Sequence, residues 1–412
     1  MLSGHRVAHS ILIIVQNLPV PLDRRVWLEA TSLQRAGYQV AVISPKSKVY
    51  TRSREQLEGV DIYRYPMLLE ADTSLSGYLV EFVYCWLASL WLAIQAYRRR
   101  PFKVIHACNP PDTYFALAAL FRPLGVKFVF DHHDLCPELY VAKGKHKRGI
   151  VYRLVLLLER LTFRTADMVI AVNESHREMA LQRGKLSESK VVVVRSGPRR
   201  QWGDNYRPQP DLKRGRKYLV VYLGQMGKQD GVDYLLRSIA EYRQRFPDDT
   251  LFTIIGGGPH QPELHQLAAD LKLEGCVHFT GRLPDEEVWS YFSTADLCVD
   301  PDPSNQFNDL CTMNKIIEYM AFGRPVVAFD LKEHRRSAQE AAIYIPGNDI
   351  AKFSQGMREL LDDEQRRQAM AAFAKARFQD SLAWEISEQR LIAFYDALLT
   401  IQPLEQEVSE MA

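Results

Sequence analysis

At 412 residues the chain is long enough for two domains, each burying its own core, and 47% hydrophobic with 25% charged residues is the balance of a soluble globular protein. The net charge of +2 hides an asymmetry. Residues 1–205 hold 29 Lys/Arg against 18 Asp/Glu, net +11, and the remainder holds 23 against 32, net −9. A basic first half points to an anionic surface or a phosphorylated substrate. No basic motif interleaved with exposed aromatics accompanies it, which excludes nucleic acid from the expected partners.

In chain order, MLSGHRVAHSILIIVQNLPVP has one short apolar run ending in Pro and no small-residue cleavage site, so it reads as a first strand rather than a signal peptide. Strands are expected at Ile11–Val15, Gln39–Ile43, Asp61–Tyr65, Val104–Ala107, Lys127–Phe130, Met168–Val172 and Val191–Val194. Helical patterns lie between most of them, around 24–36, 76–99, 111–121, 149–164 and 174–183. Repeated βαβ implies a parallel sheet covered on both faces. Residues 196–217 have no apolar period and many Pro, Gly and Arg, as a linker does.

A second α/β series follows, with strands near Tyr218–Leu223, Leu251–Ile255, Val277–Thr280, Leu297–Val299, Val326–Phe329 and Ile343–Ile345. The expected architecture is α/β, two Rossmann-like doubly wound domains facing each other across a cleft. They occupy 1–200 and 218–381, joined by a linker at 201–217. Residues 382–412 form a helix crossing back to the first domain, and a tail. Ligands of such sheets bind at the carboxyl ends of the strands.

Tyr78–Tyr97, YLVEFVYCWLASLWLAIQAY, is apolar on all sides and almost long enough to span a bilayer, but Glu81 lies inside it and a strand follows at once. It is a buried helix or one that dips into a membrane surface; a true span would cut the first sheet in two. Lys143–Arg164 is a basic cluster leading into an amphipathic helix, either a solvated domain helix or a dock for anionic lipid. The six cysteines form no CxxC pair and sit mostly in apolar runs, as buried thiols of a reducing compartment do.

After the first strand a dinucleotide site would want GxGxxG and an acidic residue closing the second strand; neither is present, which argues against a dehydrogenase. Asp23, Arg24 and Arg25 stand there instead and could position an anionic or hydroxyl-rich substrate, unless Asp23 simply caps the first helix. Strand Lys127–Phe130 runs into DHHDLCPELY, which places His133 and Asp134 in a polar loop at a strand end. Adjacent histidines point apart and chelate poorly, so no metal is expected. TIIGGGPHQPEL puts Gly257 and Gly258 between a strand and a helix, where backbone can approach a phosphate or a tight turn simply needs glycine. In GQMGKQDGVDYLL, Gly224 ends a strand and Lys228 either reaches a diphosphate or is a solvated loop lysine. The richest segment is TMNKIIEYMAFGRPVVAFD: a helix ending at Gly323, with Lys315 and Glu318 three residues apart on one face and Met313, Ile316, Ile317, Met320 and Ala321 on the other. Lys suits phosphate and Glu a ribose diol, unless the two are simply a solvated pair of the kind any helix carries.

The order of these pieces is more specific than any one. YLG…GVDYLL, TIIGGGP, VHFTGRLP, ADLCVDP and KIIEYMAFGRPVVAFD resemble the nucleotide-sugar-binding domain of retaining family 4 glycosyltransferases of GT-B architecture. LEATSLQRAGYQVAVIS, VIHACNPPD, FVFDHHDLCPE and ADMVIAVNES are similar more loosely, so the resemblance covers nearly the whole chain. It is nearest to bacterial members that build O-antigen, capsule or exopolysaccharide.

The resemblance implies that Glu318 holds the ribose hydroxyls, that Lys315 and the backbone at Met313 and Asn314 lie along the diphosphate, that Arg282 lies beside the base, and that His133 contacts the transferred sugar. Where the family commonly has a second Glu, eight residues before Glu318, this chain has Leu310, with Asp309 or Asn308 as substitutes. The family's diphosphate Arg and Lys fall on Gln225 and Asp230, leaving that task to Lys228 and Lys315. The usual Gly-Gly of the first loop gives way to Asp23-Arg24-Arg25.

The expected activity is metal-free, retaining transfer from a nucleotide-diphosphate sugar, UDP ahead of GDP, to a lipid-linked glycan at the cytoplasmic face of an anionic membrane. The rivals are a nucleotide-sugar epimerase and a non-catalytic nucleotide-sugar-binding or membrane-assembly protein.

Overall fold

The computed structural model describes residues 9–67, 75–142, 144 and 149–400. The chain divides into two compact units, Met1–Arg195 with Ser387–Ala412, and Ser196–Ile386. Each is built on one sheet.

In the first unit the strands are β1 Ser10–Ile14, β2 Gln39–Pro45, β3 Arg54–Leu57, β4 Val60–Tyr65, β5 Val104–Cys108, β6 Lys127–His132, β7 Met168–Ala171 and β8 Val191–Val193. They lie in the order β3-β4-β2-β1-β5-β6-β7-β8. All neighbours run parallel except β3 and β4. The inner strands β1 and β5 are buried at every residue, as a parallel sheet covered on both faces requires. Edge strand β3, Arg-Glu-Gln-Leu, alternates exposed and half-buried side chains; its charges made it invisible to a search for apolar runs. Helices α1 Arg24–Arg35, α2 Leu75–Arg99, α3 Tyr114–Phe121, α4 Cys136–Ala142, α5 Ile150–Thr165 and α6 Glu174–Gln182 connect the strands. Because β1 pairs with both β2 and β5, the winding reverses between β1 and β5, and that switch point is where a ligand crevice opens in such sheets.

In the second unit β9 Tyr218–Gln225, β10 Thr250–Gly257, β11 Val277–Gly281, β12 Leu297–Asp300, β13 Val326–Phe329 and β14 Ala342–Ile345 are all parallel, ordered β11-β10-β9-β12-β13-β14. Here the switch lies between β9 and β12. The helices are α7 Val232–Arg245, α8 Gln261–Asp270, α9 Asp285–Thr294, α10 Asn314–Ala321, α11 Lys332–Ala338, α12 Ile350–Asp362, α13 Glu364–Arg377 and α14 Trp384–Thr400, the last carrying Ser387–Thr400 into the first unit.

The segment expected to be a linker is packed instead. Trp202 and Tyr206 hold their rings 5.0 and 5.1 Å from that of Trp289 on α9, and Gln209 N–H donates to Thr294. Its two aromatics were the overlooked signal: polar composition hid these anchors for the second core. In the basic cluster, Lys143 and 145–148 fall outside the described residues. All six cysteines are unpaired thiols.

Candidate active site

At the switch point of the first unit, α1 and the ends of β5 and β6 bring five titratable or charged side chains together. Asp23 caps α1 by accepting from Val26 N–H at 3.1 Å, the local role weighed for it, and Arg24 is exposed. Arg25 corrects the expectation. Its side chain is 9% exposed and turns inward, 3.0 Å from Asp131 Oδ1, 2.9 Å from Glu29 Oε1 and 2.8 Å from the Val194 carbonyl, so it does not face a substrate as a free cation. His106 Nε2 meets the other Asp131 oxygen at 3.2 Å, and its Nδ1 meets the Tyr395 hydroxyl of α14 at 2.7 Å. Nε2 of His133 lies 2.5 Å from Asp131 Oδ2 and 3.0 Å from Arg25 Nε. A neutral imidazole can donate to the carboxylate or accept from the guanidinium through that nitrogen, not both.

Burial works to raise both carboxyls of this cluster. At Glu29 it prevails over the Arg25 charge and pushes the group well above the usual range, so Glu29 is the protonated partner. At Asp131 the Arg25 charge, with the contacts to His133 and His106, outweighs burial and holds it well below. Burial also lowers His106 and keeps it neutral.

Two sets of donor atoms here, Glu29/Asp131/His133 and His106/Cys108/Asp131, are each close enough to hold an ion. The first set, however, already has the Arg25 guanidinium at 2.9 and 3.0 Å from its carboxylates. The loop that presents His133 and Asp134 is fixed by Asn109, whose side-chain oxygen accepts from both backbone N–H groups at 2.7 and 3.1 Å. Glu29, His106 and Tyr395 were missed in the sequence, since lone polar residues in apolar strands and helices read as core.

In the second unit the predicted helix forms as α10, Asn314–Ala321, and Gly323 at φ +60° turns the chain into β13. Tyr319 pins it to the sheet, donating to Val299 O at 3.3 Å and accepting from Leu223 N–H at 2.8 Å. Ile316, Ile317 and Met320 are buried, Met313 packs at the edge of the same core, and Glu318 is half-buried on the other face.

Lys315 is not the solvated cation of the alternative reading. Its side chain is 11% exposed, its Nζ contacts Asp302 and lies 3.4 Å from Asp300 Oδ1, and it stands 5.0 Å from the centre of the Tyr222 ring. Burial acts to raise both carboxyls; Lys315 and then His334 overcome it at Asp300, which is held low, whereas burial and the Asp300 charge push Asp302 up. Burial would lower Lys315, but the two carboxylates raise it. The signal for this triad was the DPDP run at the end of β12, read only as a family motif.

Around it, Gly224 lies so close that a methyl there would meet the Tyr222 hydroxyl at 2.5 Å and Lys315 Cε at 3.3 Å. In the glycine run the demand is close packing. A methyl on Gly256, at φ +130°, would sit 1.9 Å from Gly224 O, and one on Gly258 would sit 2.7 Å from Met226 backbone. Gly257 has room, with only the Gln261 and Arg282 side chains within 4 Å, and this places exposed Arg282 beside the loop. Asp230 is not a mere loss: it accepts from Gly227 N–H at 2.8 Å and shapes the turn that carries exposed Lys228. The two proposed substitutes for the missing Glu have other partners. Asn308 donates to Gln229 O and Pro303 O at 3.2 and 2.9 Å, and Asp309 accepts from Lys332 N–H at 2.7 Å, at the start of α11.

Residues 22–197 match the glycosyl transferase 4-like domain, and 217–363 match glycosyl transferases group 1. The D-inositol 3-phosphate glycosyltransferase of Corynebacterium urealyticum is 27% identical over 308 residues, 69% of each chain. The GDP-mannose-dependent alpha-(1-6)-phosphatidylinositol monomannoside mannosyltransferase of Mycolicibacterium smegmatis is 28% identical over 204 residues, 46% of this chain and 52% of that one; the chain thus spans about half the length of this relative. The structure of HepE from Anabaena in complex with UDP and glucose superposes with a TM-score of 0.71 at 15% identity, over 94% of this chain and 100% of that one. Two domain matches covering most of the chain, on two parallel-sheet units of the same fold as these neighbours, establish that it belongs to the GT4-type glycosyltransferases with the GT-B fold.

Proposed function

We propose that the enzyme transfers a sugar, with retention of configuration, from a nucleotide-diphosphate donor to a lipid-linked glycan at the cytoplasmic face of the membrane. The observation that carries the donor half is α10: a helix N-terminus with Lys315 and Glu318 on one face, at the carboxyl end of the second sheet and against Gly224. Its first-turn N–H groups and the Lys315 ammonium suit a diphosphate, and Glu318 suits a ribose diol. The diphosphate competes with Asp302 for Lys315, and protonation of Asp302, already raised, frees the ammonium for it. Lys228 adds a second, exposed charge as the leaving group departs. The Anabaena neighbour holds UDP, which favours UDP as the donor nucleotide, while the mannosyltransferase relative is named for GDP-mannose.

His133, braced by Asp131 and Asn109, is the group offered to the transferred sugar. Orienting and charge stabilisation suffice; no side chain forms a covalent intermediate. Membrane-side acceptance draws support from the basic first half.

The test is calorimetric titration with UDP, GDP and dTDP of the parent and of Glu318→Ala. One nucleotide binding tightly to the parent and lost in the variant supports the donor site. No binding to any of them refutes it and favours a non-catalytic protein.

A further inference from the structure

Nine of the twelve exposed large apolar side chains among the described residues lie on one layer of three helices in the first unit. Helix α2 has two apolar faces. One, Cys85, Ser89, Ala93 and Ala96, is buried on the sheet. The other, Val80, Val83, Leu87 and Trp91, recurs at helical spacing and is 50–61% exposed, with no core to meet. Helix α3 packs against both α2 and α5, and it adds Leu120 with Leu124 just beyond its end. Helix α5 adds Ile150, 85% exposed, with Leu154 and Leu157 one and two turns on.

A contiguous apolar surface on one side of a soluble unit marks an interaction site. Its charge identifies the partner. Exposed Arg98 and Arg99 end α2, and exposed Arg153, Arg160 and Arg164 stand on the same side of α5 as Leu157. The carboxylates carried by α2, α3 and α5 are the half-buried Glu81 and the buried Glu159. Apolar side chains at the level of acyl chains, with arginines reaching back to headgroups, are what an in-plane interfacial helix presents.

We propose that the outer face of α2, α3 and α5 docks on an anionic phospholipid bilayer, with α2 lying in the membrane plane. A span is disfavoured because the inner stripe of α2 forms part of the sheet's core. The inference deepens the membrane-side reading above and rests on it for its purpose, but not on the donor.

The experiment is flotation of the full chain, without donor, with phosphatidylglycerol/phosphatidylcholine vesicles and with phosphatidylcholine vesicles, at low salt. The parent floats with the anionic vesicles. The face variants Leu87→Glu/Trp91→Glu and Leu154→Glu lose at least about tenfold in partitioning. Leu22→Glu and Val49→Glu, at exposed apolar positions off this face, keep it. Circular dichroism and nucleotide titration on each variant separate loss of docking from loss of fold or donor site. Four results overturn the proposal. The parent stays unbound; control and face variants fall alike; or the face variants turn a dimer into a monomer in sedimentation while vesicle binding persists, which makes the face a contact between copies. Parent that resists carbonate extraction also overturns it, in favour of a spanning α2.

Discussion

Replacing Lys315 by Met isolates what the buried triad of the second unit does. The ammonium lies 3.4 Å from Asp300 Oδ1 and also contacts Asp302. At an effective dielectric of about 20, the first pair alone is worth about 5 kcal/mol of Coulomb energy, before the cost of taking the charges out of water. Methionine fills similar space but leaves two buried carboxyls without their cation. Breaking a buried pair in this way costs about 3–5 kcal/mol, which in a unit of this size lowers Tm by roughly 6–20 °C.

The pH dependence fixes the sign. In the parent, Asp300 is held low, so its contribution is present at neutral pH and is lost as pH falls. In the variant, burial with no opposing ammonium puts both carboxyls above their unfolded value of about 3.9, so stability is present in acid and lost as pH rises. The gap between the two proteins is therefore widest at pH 8 and narrows at pH 5. Scanning calorimetry at both values reads it, and adding Asp300→Asn and Asp302→Asn to the variant recovers most of the loss. A variant melting within about 1 °C of the parent at pH 8, or a gap that does not narrow in acid, refutes the reasoning.

Burial pushes Asp112 in the first unit up to about 6, so its contribution to stability is complete below about pH 4 and is lost as pH rises through 6, at most about 3 kcal/mol in all. Asp112→Asn removes that slope, read as the difference in urea midpoint between parent and variant at pH 4.5 and 7.5; parallel profiles refute it. Tyr395→Phe leaves Nδ1 of buried His106 without its partner, costing about 1–3 kcal/mol in urea unfolding and shifting the pH–rate profile through Asp131 and His133. Unchanged profiles would confine Tyr395 to packing. Gly256→Ala abolishes soluble folding or costs above about 3 kcal/mol, whereas Gly257→Ala costs under about 1, because the Cβ is blocked by backbone at the first position and faces flexible side chains at the second. Equal expression and Tm for the two variants would contradict the close-packing account.

Much of the fold was legible. All thirteen expected strands form, because each is an apolar run between turn signals, and such runs are what parallel strands buried on both faces look like. The helix bearing Lys315 and Glu318 ends at Gly323 as its spacing and glycine dictated. Strand β3 and the packing of Trp202 and Tyr206 were not legible, since an edge strand needs no apolar alternation and a loop's aromatics do not announce what they touch.

The sequence by itself determined the βαβ alternation, the glycines at strand ends and the set of polar residues at those ends, because local periodicity and turn chemistry are written into neighbouring residues. Only the tertiary structure decided what those polar groups do. Arg25 turns inward to Asp131, Lys315 sits between two carboxylates, Asp309 meets the start of α11, and Tyr395 reaches His106 from the far end of the chain. A charge's partner is set by which strand ends the topology brings together, and by the cost of leaving it buried alone. Neither can be read from spacing along the chain.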